Sequence, residues 1–162
     1  MANVVYLSLG SNVGDRENHL REAIARLETS GRVRSDSSFY ETEPVDFTDQ
    51  AWFLNCAVAL ETDETPEQLM ATILRIEREM GRRRVQKKGP RIIDIDILLF
   101  GEAVVDTPEL SVPHPAMHRR RFVLEPLAEI APTARHPGLK KTIRELLDAL
   151  EPGQEVRKVQ TK

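Results

Sequence analysis

The residues best suited to chemistry lie in the run Gly89-Pro90-Arg91-Ile92-Ile93-Asp94-Ile95-Asp96-Ile97. In a strand, positions two apart share a face, so Asp94 and Asp96 project together while Ile93, Ile95 and Ile97 project the other way. At a rise of about 3.3 Å per residue, the two aspartate Cα atoms stand roughly 7 Å apart. Carboxylates at that spacing can converge on two magnesium ions about 4 Å apart, which suits polyphosphate chemistry. Hard oxygen donors, with no Cys/His cluster in the chain, favour magnesium over zinc. An isolated Asp-x-Asp pair more often marks an amphipathic strand with a charged outer side. Here two like charges repel on one face, and a basic block of Arg82, Arg83, Arg84, Lys87, Lys88 and Arg91 surrounds the approach to them. Cations beside a carboxylate pair are what a magnesium–triphosphate site requires, because metal takes some phosphate oxygens and Arg or Lys the others. The combination favours a site.

Three other places carry weaker signals. His114 is stiffened between Pro113 and Pro115 and followed by Arg120 and Phe122. Taken singly, such a histidine is more often a surface or hydrogen-bonded one. Phe53 and Asn55 share one strand face, a ring beside an amide, which fits a flat heterocycle with donor and acceptor edges. Core packing explains Phe53 equally well. Gly10-Ser11-Asn12 lacks both the dinucleotide glycine pattern and the Walker A lysine, so it reads as a turn.

These residues need a scaffold, and 162 residues with 40% hydrophobic and 30% charged content suffice for one domain, residues 1–162. No apolar run reaches the length of a membrane span. The start MANVVYLSLGSN lacks a basic region and a cleavage site, so a first strand is expected rather than a signal peptide. The single cysteine, Cys56, sits in an apolar run and is expected to be a buried, inert thiol in a cytoplasmic protein. A net charge of −3 argues against a dedicated nucleic-acid binder. Basic clusters in an acidic chain suit a local anionic ligand better than a long polyanion.

Hydrophobic periodicity predicts a strand at 4–9 with Val5, Leu7 and Leu9 on one face, broken by Gly10 to Gly14. A helix follows, capped by Asp15, with Leu20, Ala23, Ile24 and Leu27 as its stripe. Strands are expected at 33–42 and 53–60. Thr65-Pro66-Glu67-Gln68 is a capping box with proline at the first helical position, and Leu69, Ile73, Ile76 and Met80 continue the stripe until Gly81. The strand at 91–100 is followed by a short one at 103–105, expected to pair with it, and by helices at 120–130 and 142–150. The order β-α-β-β-α-β predicts an α+β fold of the ferredoxin-like, split-βαβ kind. That is an antiparallel sheet with helices packed on one face, plus C-terminal helical additions. The fold hosts RNA-binding, regulatory and catalytic proteins alike, so it does not name a function.

With these residues placed, the sequence resembles the 6-hydroxymethyl-7,8-dihydropterin pyrophosphokinases of folate biosynthesis. The resemblance runs through Leu9-Gly-Ser-Asn12, Ser38-Phe-Tyr-Glu-Thr42, Phe53-Leu-Asn55, Gly89-Pro-Arg91, the Asp94/Asp96 strand, Val112-Pro-His114 and Pro126-Leu-Ala-Glu-Ile-Ala-Pro132. It implies pyrophosphate transfer from ATP to the pterin hydroxymethyl group, releasing AMP, with two Mg2+ ions on Asp94 and Asp96. It implies pterin contacts at Asn12, Thr42, Val45, Phe53, Asn55 and Phe122, with the rings of Phe53 and Phe122 sandwiching the pterin. ATP contacts are implied at Glu77, Arg84, Lys87, Arg91, Ile97, His114 and Arg120, and a catalytic-loop position at Arg82. Arg82 and Arg91 join Asp94 and Asp96 as the implied catalytic set. The resemblance also suggests a monomer acting on small molecules, with no nucleic acid and no membrane. The basic loop is one residue shorter than in the best-known bacterial pattern. Lys88, Phe53 and Pro115 each stand where an aromatic or a tyrosine is usual.

Two other classes share parts of this pattern. An RNA-binding module on the same fold would expose aromatics on its sheet, where Asp94 and Asp96 would instead repel phosphate. Another magnesium–nucleotide transferase would share the carboxylates but not the pterin positions.

Overall fold

A computed structural model describes residues 2–43, 51–81 and 91–159. In chain order its elements are β1 (Asn3–Ser11), α1 (Arg16–Leu27), β2 (Gly31–Asp36), β3 (Tyr40–Thr42), β4 (Phe53–Thr62), α2 (Pro66–Glu79) and β5 (Asp94–Phe100). They continue with β6 (Val105–Asp106), β7 (Ser111–Val112), a 3-10 turn (Met117–Arg119), α3 (Arg121–Ile130), β8 (Arg135–His136), β9 (Lys141–Thr142), α4 (Ile143–Asp148) and β10 (Val156–Lys158). The main sheet runs β10-β3-β4-β1-β5, with β2 also paired to β4, and every pairing in it is antiparallel. The β-α-β-β-α-β order and this sheet are the ferredoxin-like arrangement expected from the sequence.

One face of the sheet is closed by α1 and α2. Val5, Leu7 and Leu9 of β1 are fully buried, as are Leu20, Ala23 and Leu27 of α1 and Leu69 and Ile73 of α2. Ile95 and Ile97 join this cluster from β5. Asp15 starts α1 by accepting from the Asn18 backbone N–H at 3.2 Å. The capping box on α2 is complete: Gln68 N donates to Thr65 Oγ1 at 3.1 Å, and Thr65 N donates to Gln68 Oε1 at 2.9 Å. Met80 then gives way to Gly81 at φ +92°, a left-handed turn that favours glycine.

The opposite face is divided. α3 and α4 cover one part, packing Val123, Leu124, Leu127, Ile143 and Leu146 onto Ala57, Leu98 and Leu99. Helices therefore lie on both faces, not one. The apolar residues Ala57, Leu98 and Leu99 give the C-terminal helices something to bury. The rest of that face carries Gly10, Asn55, Asp94 and Asp96.

Local details depart from the periodicity in four places. The strand expected at 33–42 is two strands, β2 and β3, both paired with β4. Ser37, fully buried between them, accepts from Ala57 N with its hydroxyl at 2.9 Å, so a side chain replaces the ladder bond. The strand expected at 91–100 begins at Asp94. Residues 103–105 do not pair with it: Ala103 N closes a turn onto Phe100 O at 2.9 Å, and Val105–Asp106 pairs with Ser111–Val112 instead. Finally, β1 does not break at Gly10 but continues through Ser11, with Gly10 opposite Asn55 on one side and Asp94 on the other.

Gly10 is there for space. A Cβ at that position would stand 2.5 Å from Asn55 Nδ2, closer than packed atoms tolerate. Replacing Gly10 with alanine is expected to destabilise the fold by about 1–3 kcal/mol through overpacking, read from urea unfolding midpoints. A second expectation concerns His136, which is buried in the β8–β9 hairpin and accepts at Nδ1 from Gly138 N (3.1 Å) and Leu139 N (3.0 Å). Burial, with the nearby His118, lowers its pKa from the ordinary 6.5. A base depressed in the folded state binds its proton first when unfolded, so this contribution is intact above about pH 6.5 and lost as pH falls below it. His136→Asn keeps an acceptor without titrating. Its urea midpoint should fall less than the parent's between about pH 7.5 and pH 5.5.

Candidate active site

The candidate site is built on a row that crosses five strands. Lys158 pairs with Tyr40, Tyr40 with Asn55, Asn55 with Gly10 and Gly10 with Asp94, so the four side chains project from one face and Gly10 leaves its place in the row bare. The next row holds Ala57, Ser8 and Asp96. Asp94 and Asp96 thus share the face that α1 and α2 leave open, while Ile93, Ile95 and Ile97 are buried on the other. Their cross-strand neighbours, Gly10 and Ser8, are small.

Thr42 and Asn55 sit together. Thr42 Oγ1 donates to Asn55 Oδ1 at 2.5 Å, and Asn55 Nδ2 donates to Leu9 O at 3.3 Å. Both are buried, so these bonds fix which way the amide faces. Phe53 pairs with Thr42 across the ladder and is half-buried, on the same face as Asn55. Arg16 braces this corner, with Nη1 donating to Trp52 O at 3.0 Å and Nη2 paired to Glu41 at 2.8 Å.

The far wall comes from the segment before α3. His114 N donates to Leu98 O at 3.0 Å, which ties that segment to β5. Burial lowers the His114 pKa, the Arg120 charge lowers it further, and Asp94 opposes both. His114, Arg120 and Asp94 are therefore electrostatic neighbours although they lie far apart in sequence. The imidazole accepts from Ala116 N at 3.2 Å. The Arg120 guanidinium lies 5.5 Å from the Phe122 ring centroid, within cation–π range.

Other expected residues occupy positions the sequence did not disclose. Asn12 is buried and clamps two chain segments, donating from Nδ2 to Ala51 O (3.1 Å) and accepting at Oδ1 from Arg91 N (2.7 Å). Glu77 is 4% exposed and accepts from Ile95 N at 2.8 Å on the outer edge of β5. The Ile97 side chain is 4% exposed in the core with α1 and α2, away from the carboxylates. Since Ile95 turns its N–H outward to Glu77, alternation turns the Ile97 backbone to the same open edge. A nucleotide at that position would meet main chain, not the isoleucine side chain. Val45, Arg82, Arg84 and Lys87 lie outside the described residues. A shallow groove at the other end of the sheet, lined by Ala2, Gly31, Thr62 and Gln68, brings none of these groups together.

The donor set fits magnesium in one defined sense. Among the described residues no three His, Cys, Asp or Glu side chains gather as a metal cage. Two carboxylates alone are what Mg2+ uses when waters and substrate phosphates complete its octahedron. Sequence reasoning missed Ser8, Gly10, Tyr40 and Glu129, because their places follow from sheet register and from contacts about ninety residues apart.

The chain matches the 7,8-dihydro-6-hydroxymethylpterin-pyrophosphokinase (HPPK) family over residues 6–132. It is 50% identical over 132 residues to the 2-amino-4-hydroxy-6-hydroxymethyldihydropteridine pyrophosphokinase of Bacillus subtilis, covering 80% of this chain and 79% of that one. The enzyme of the same name from Methylorubrum extorquens is 45% identical over 149 residues, covering 91% and 93%. Among solved structures, Plasmodium falciparum HPPK-DHPS with pterin and p-hydroxybenzoate superposes with a TM-score of 0.73 at 20% identity. It covers 91% of this chain and 43% of the longer one, and the likeness supports the shared fold. With a family match across most of its length and relatives at this identity, the chain belongs to the HPPK family.

Proposed function

We propose that residues 1–162 act as one pyrophosphokinase domain, transferring pyrophosphate from ATP to the hydroxymethyl group of 6-hydroxymethyl-7,8-dihydropterin. The pterin hydroxyl oxygen forms a bond to the β-phosphorus and gives up its proton to solvent, the bond from that phosphorus to the α–β bridging oxygen breaks, and AMP leaves with the electron pair. The observation that carries the reading is the shared face on which Asp94 and Asp96 stand one strand away from Gly10, and Gly10 beside Asn55. Phosphate chemistry and heterocycle recognition are thereby offered side by side.

Asn55, oriented by Thr42, presents an amide edge to the pterin, and Phe53 and Phe122 supply its ring faces. Arg120 holds the Phe122 ring from one side and reaches toward phosphate from the other. Asp94 and Asp96 would hold two Mg2+ ions, which when bound neutralise phosphate charge and set the geometry of the transferred group. Arg91, with Arg82, Arg84 and Lys87, would grip the remaining phosphate oxygens and stabilise charge on the departing AMP. His114, whose pKa burial lowers and whose Nδ1 accepts from Ala116 N, has its Nε2–H left as a donor to the nucleotide. Asn12 and Val45 would border the pterin, while Glu77 and the Ile97 backbone would border the nucleotide along the edge of β5.

Among the described residues no helix is long and apolar enough to cross a membrane. A monomer working in the cytoplasm on two small molecules, without nucleic acid, is part of this proposal.

The decisive assay incubates the protein with ATP, Mg2+ and hydroxymethyl-dihydropterin and identifies the products. AMP and pterin diphosphate support the reading, whereas inorganic pyrophosphate would mean nucleotidyl transfer and no product would leave only a binding module. Asp96→Asn, which keeps shape but removes charge, is expected to lower kcat by about a hundredfold or more. It should also raise the Mg2+ concentration needed for half-maximal rate, with an unchanged unfolding midpoint.

A further inference from the structure

Two of the segments that carry the family resemblance, Ser38-Phe-Tyr-Glu-Thr42 and Pro126-Leu-Ala-Glu-Ile-Ala-Pro132, meet at one carboxylate. Glu129, on the last turn of α3, accepts from Tyr40 Oη at 2.7 Å with one oxygen. Its other oxygen accepts from Ser38 N at 3.0 Å and Ser38 Oγ at 3.1 Å. Lys158 of β10 brings its Nζ to 4.0 Å. Burial pushes the Glu129 carboxyl up, but the bonds from Tyr40 and Ser38 and the Lys158 charge outweigh it and leave its pKa below the ordinary value. Burial, and then the bond to Glu129, push the Tyr40 phenol well above its ordinary range, so it stays a donor.

The placement of these groups matters more than their number. Tyr40 is the cross-strand partner of Asn55 and lies two residues before Thr42, both on the candidate pterin wall. Phe122 lies on the same helix as Glu129, seven residues earlier, about two turns away on one stripe. Glu125, between them on that stripe, also acts on Tyr40 through its charge. Pro126 stands inside α3 and cannot donate the ladder bond to the Phe122 carbonyl, so the first turn leans more on tertiary contacts than an ordinary helix would.

We infer that Glu129 is a positioning residue for the pterin, a clamp that fixes α3 against β3 and so sets the gap between Phe122 and the Thr42–Asn55–Phe53 wall. Glu129 is not expected to touch the substrate. This inference rests on the proposed function for its kinetic readout, and goes beyond it by assigning a role to a residue outside the substrate-contacting set.

The test compares the parent with Glu129→Ala, Glu129→Gln and Tyr40→Phe. Steady-state constants for pterin and ATP are measured separately, and amide hydrogen exchange is followed at residues 121–125. Glu129→Ala should raise KM for the pterin about tenfold with KM for ATP and kcat within about twofold, and should speed exchange in the first turn of α3. Glu129→Gln, which keeps an acceptor oxygen, should recover part of the loss, and Tyr40→Phe should show a smaller rise of the same kind. Equal rises in both KM values, or a kcat loss tracking a lower unfolding midpoint, would mean general destabilisation and would overturn the clamp. Unchanged pterin KM with unchanged exchange would overturn it as well. If the parent itself releases no AMP, the functional reading fails, and the exchange data alone then decide for or against the clamp.

Discussion

The register of β1 between β4 and β5 is the constraint on which the rest depends. Gly10 faces Asn55 on one side and Asp94 on the other, and the same alternation sends Leu7 and Leu9 into the core under α1 and α2. A slip of one residue on β5 would turn Asp94 and Asp96 inward and push Ile95 and Ile97 out. Each buried isoleucine contributes about 1.5–3 kcal/mol, and an unpaired carboxylate in the core costs several kcal/mol more. The pattern that holds β5 in place is therefore the same one that aims the two carboxylates outward. On that strand, stability and chemistry cannot be separated.

The site carries a cost that an all-apolar core does not. Thr42, Asn55 and Asn12, and Glu77 of α2 at the edge of β5, are each at most 5% exposed, and buried polar groups without partners would cost a few kcal/mol apiece. Each has a named hydrogen bond: Thr42 with Asn55, Asn12 with Ala51 and Arg91, Glu77 with Ile95. These bonds make the pocket wall stiff before any ligand arrives, which lowers the entropy lost on binding. Gly10 belongs to the same solution, since only the absence of a Cβ lets the Asn55 amide lie flat over β1.

What could be read from sequence was what is local. Asp94 and Asp96 are two apart, and period-two alternation is enough to put them together. The capping box at Thr65 and Gln68 is four residues long, and both of its bonds are present. Cys56 lies in an apolar run and is buried. What could not be read depends on groups distant in sequence. The break at Ser37 arises because its hydroxyl captures Ala57 N, twenty residues away. β10 reads Val-Arg-Lys and shows no apolar alternation; only its pairing with β3 makes it a strand. The neighbourhood of His114, Arg120 and Asp94, and the Asn12 bridge from 51 to 91, leave no local trace at all. Nor could the sequence tell which edge of β5 the Ile97 backbone faces, because side-chain periodicity is silent about which edge of a strand is open.

Charge balance ties these pieces to the choice of ligand. Asp94 and Asp96 place two like charges on one face of one strand, where they repel. The neighbouring imidazole does not relieve this, since burial and Arg120 keep His114 neutral. Ser8 and Gly10, directly across the strand from the pair, carry no charge. Arg120 acts on the same histidine and lies over the Phe122 ring. A divalent ion removes the repulsion outright, and one that keeps most of its waters or phosphate ligands needs no third protein donor. A nucleotide polyphosphate brings such ions with it, together with negative charge of the sign that the basic residues preceding β5 in sequence attract. Beside it, the Thr42–Asn55 pair adds an oriented amide edge, a feature that recognises a flat heterocycle rather than a phosphate.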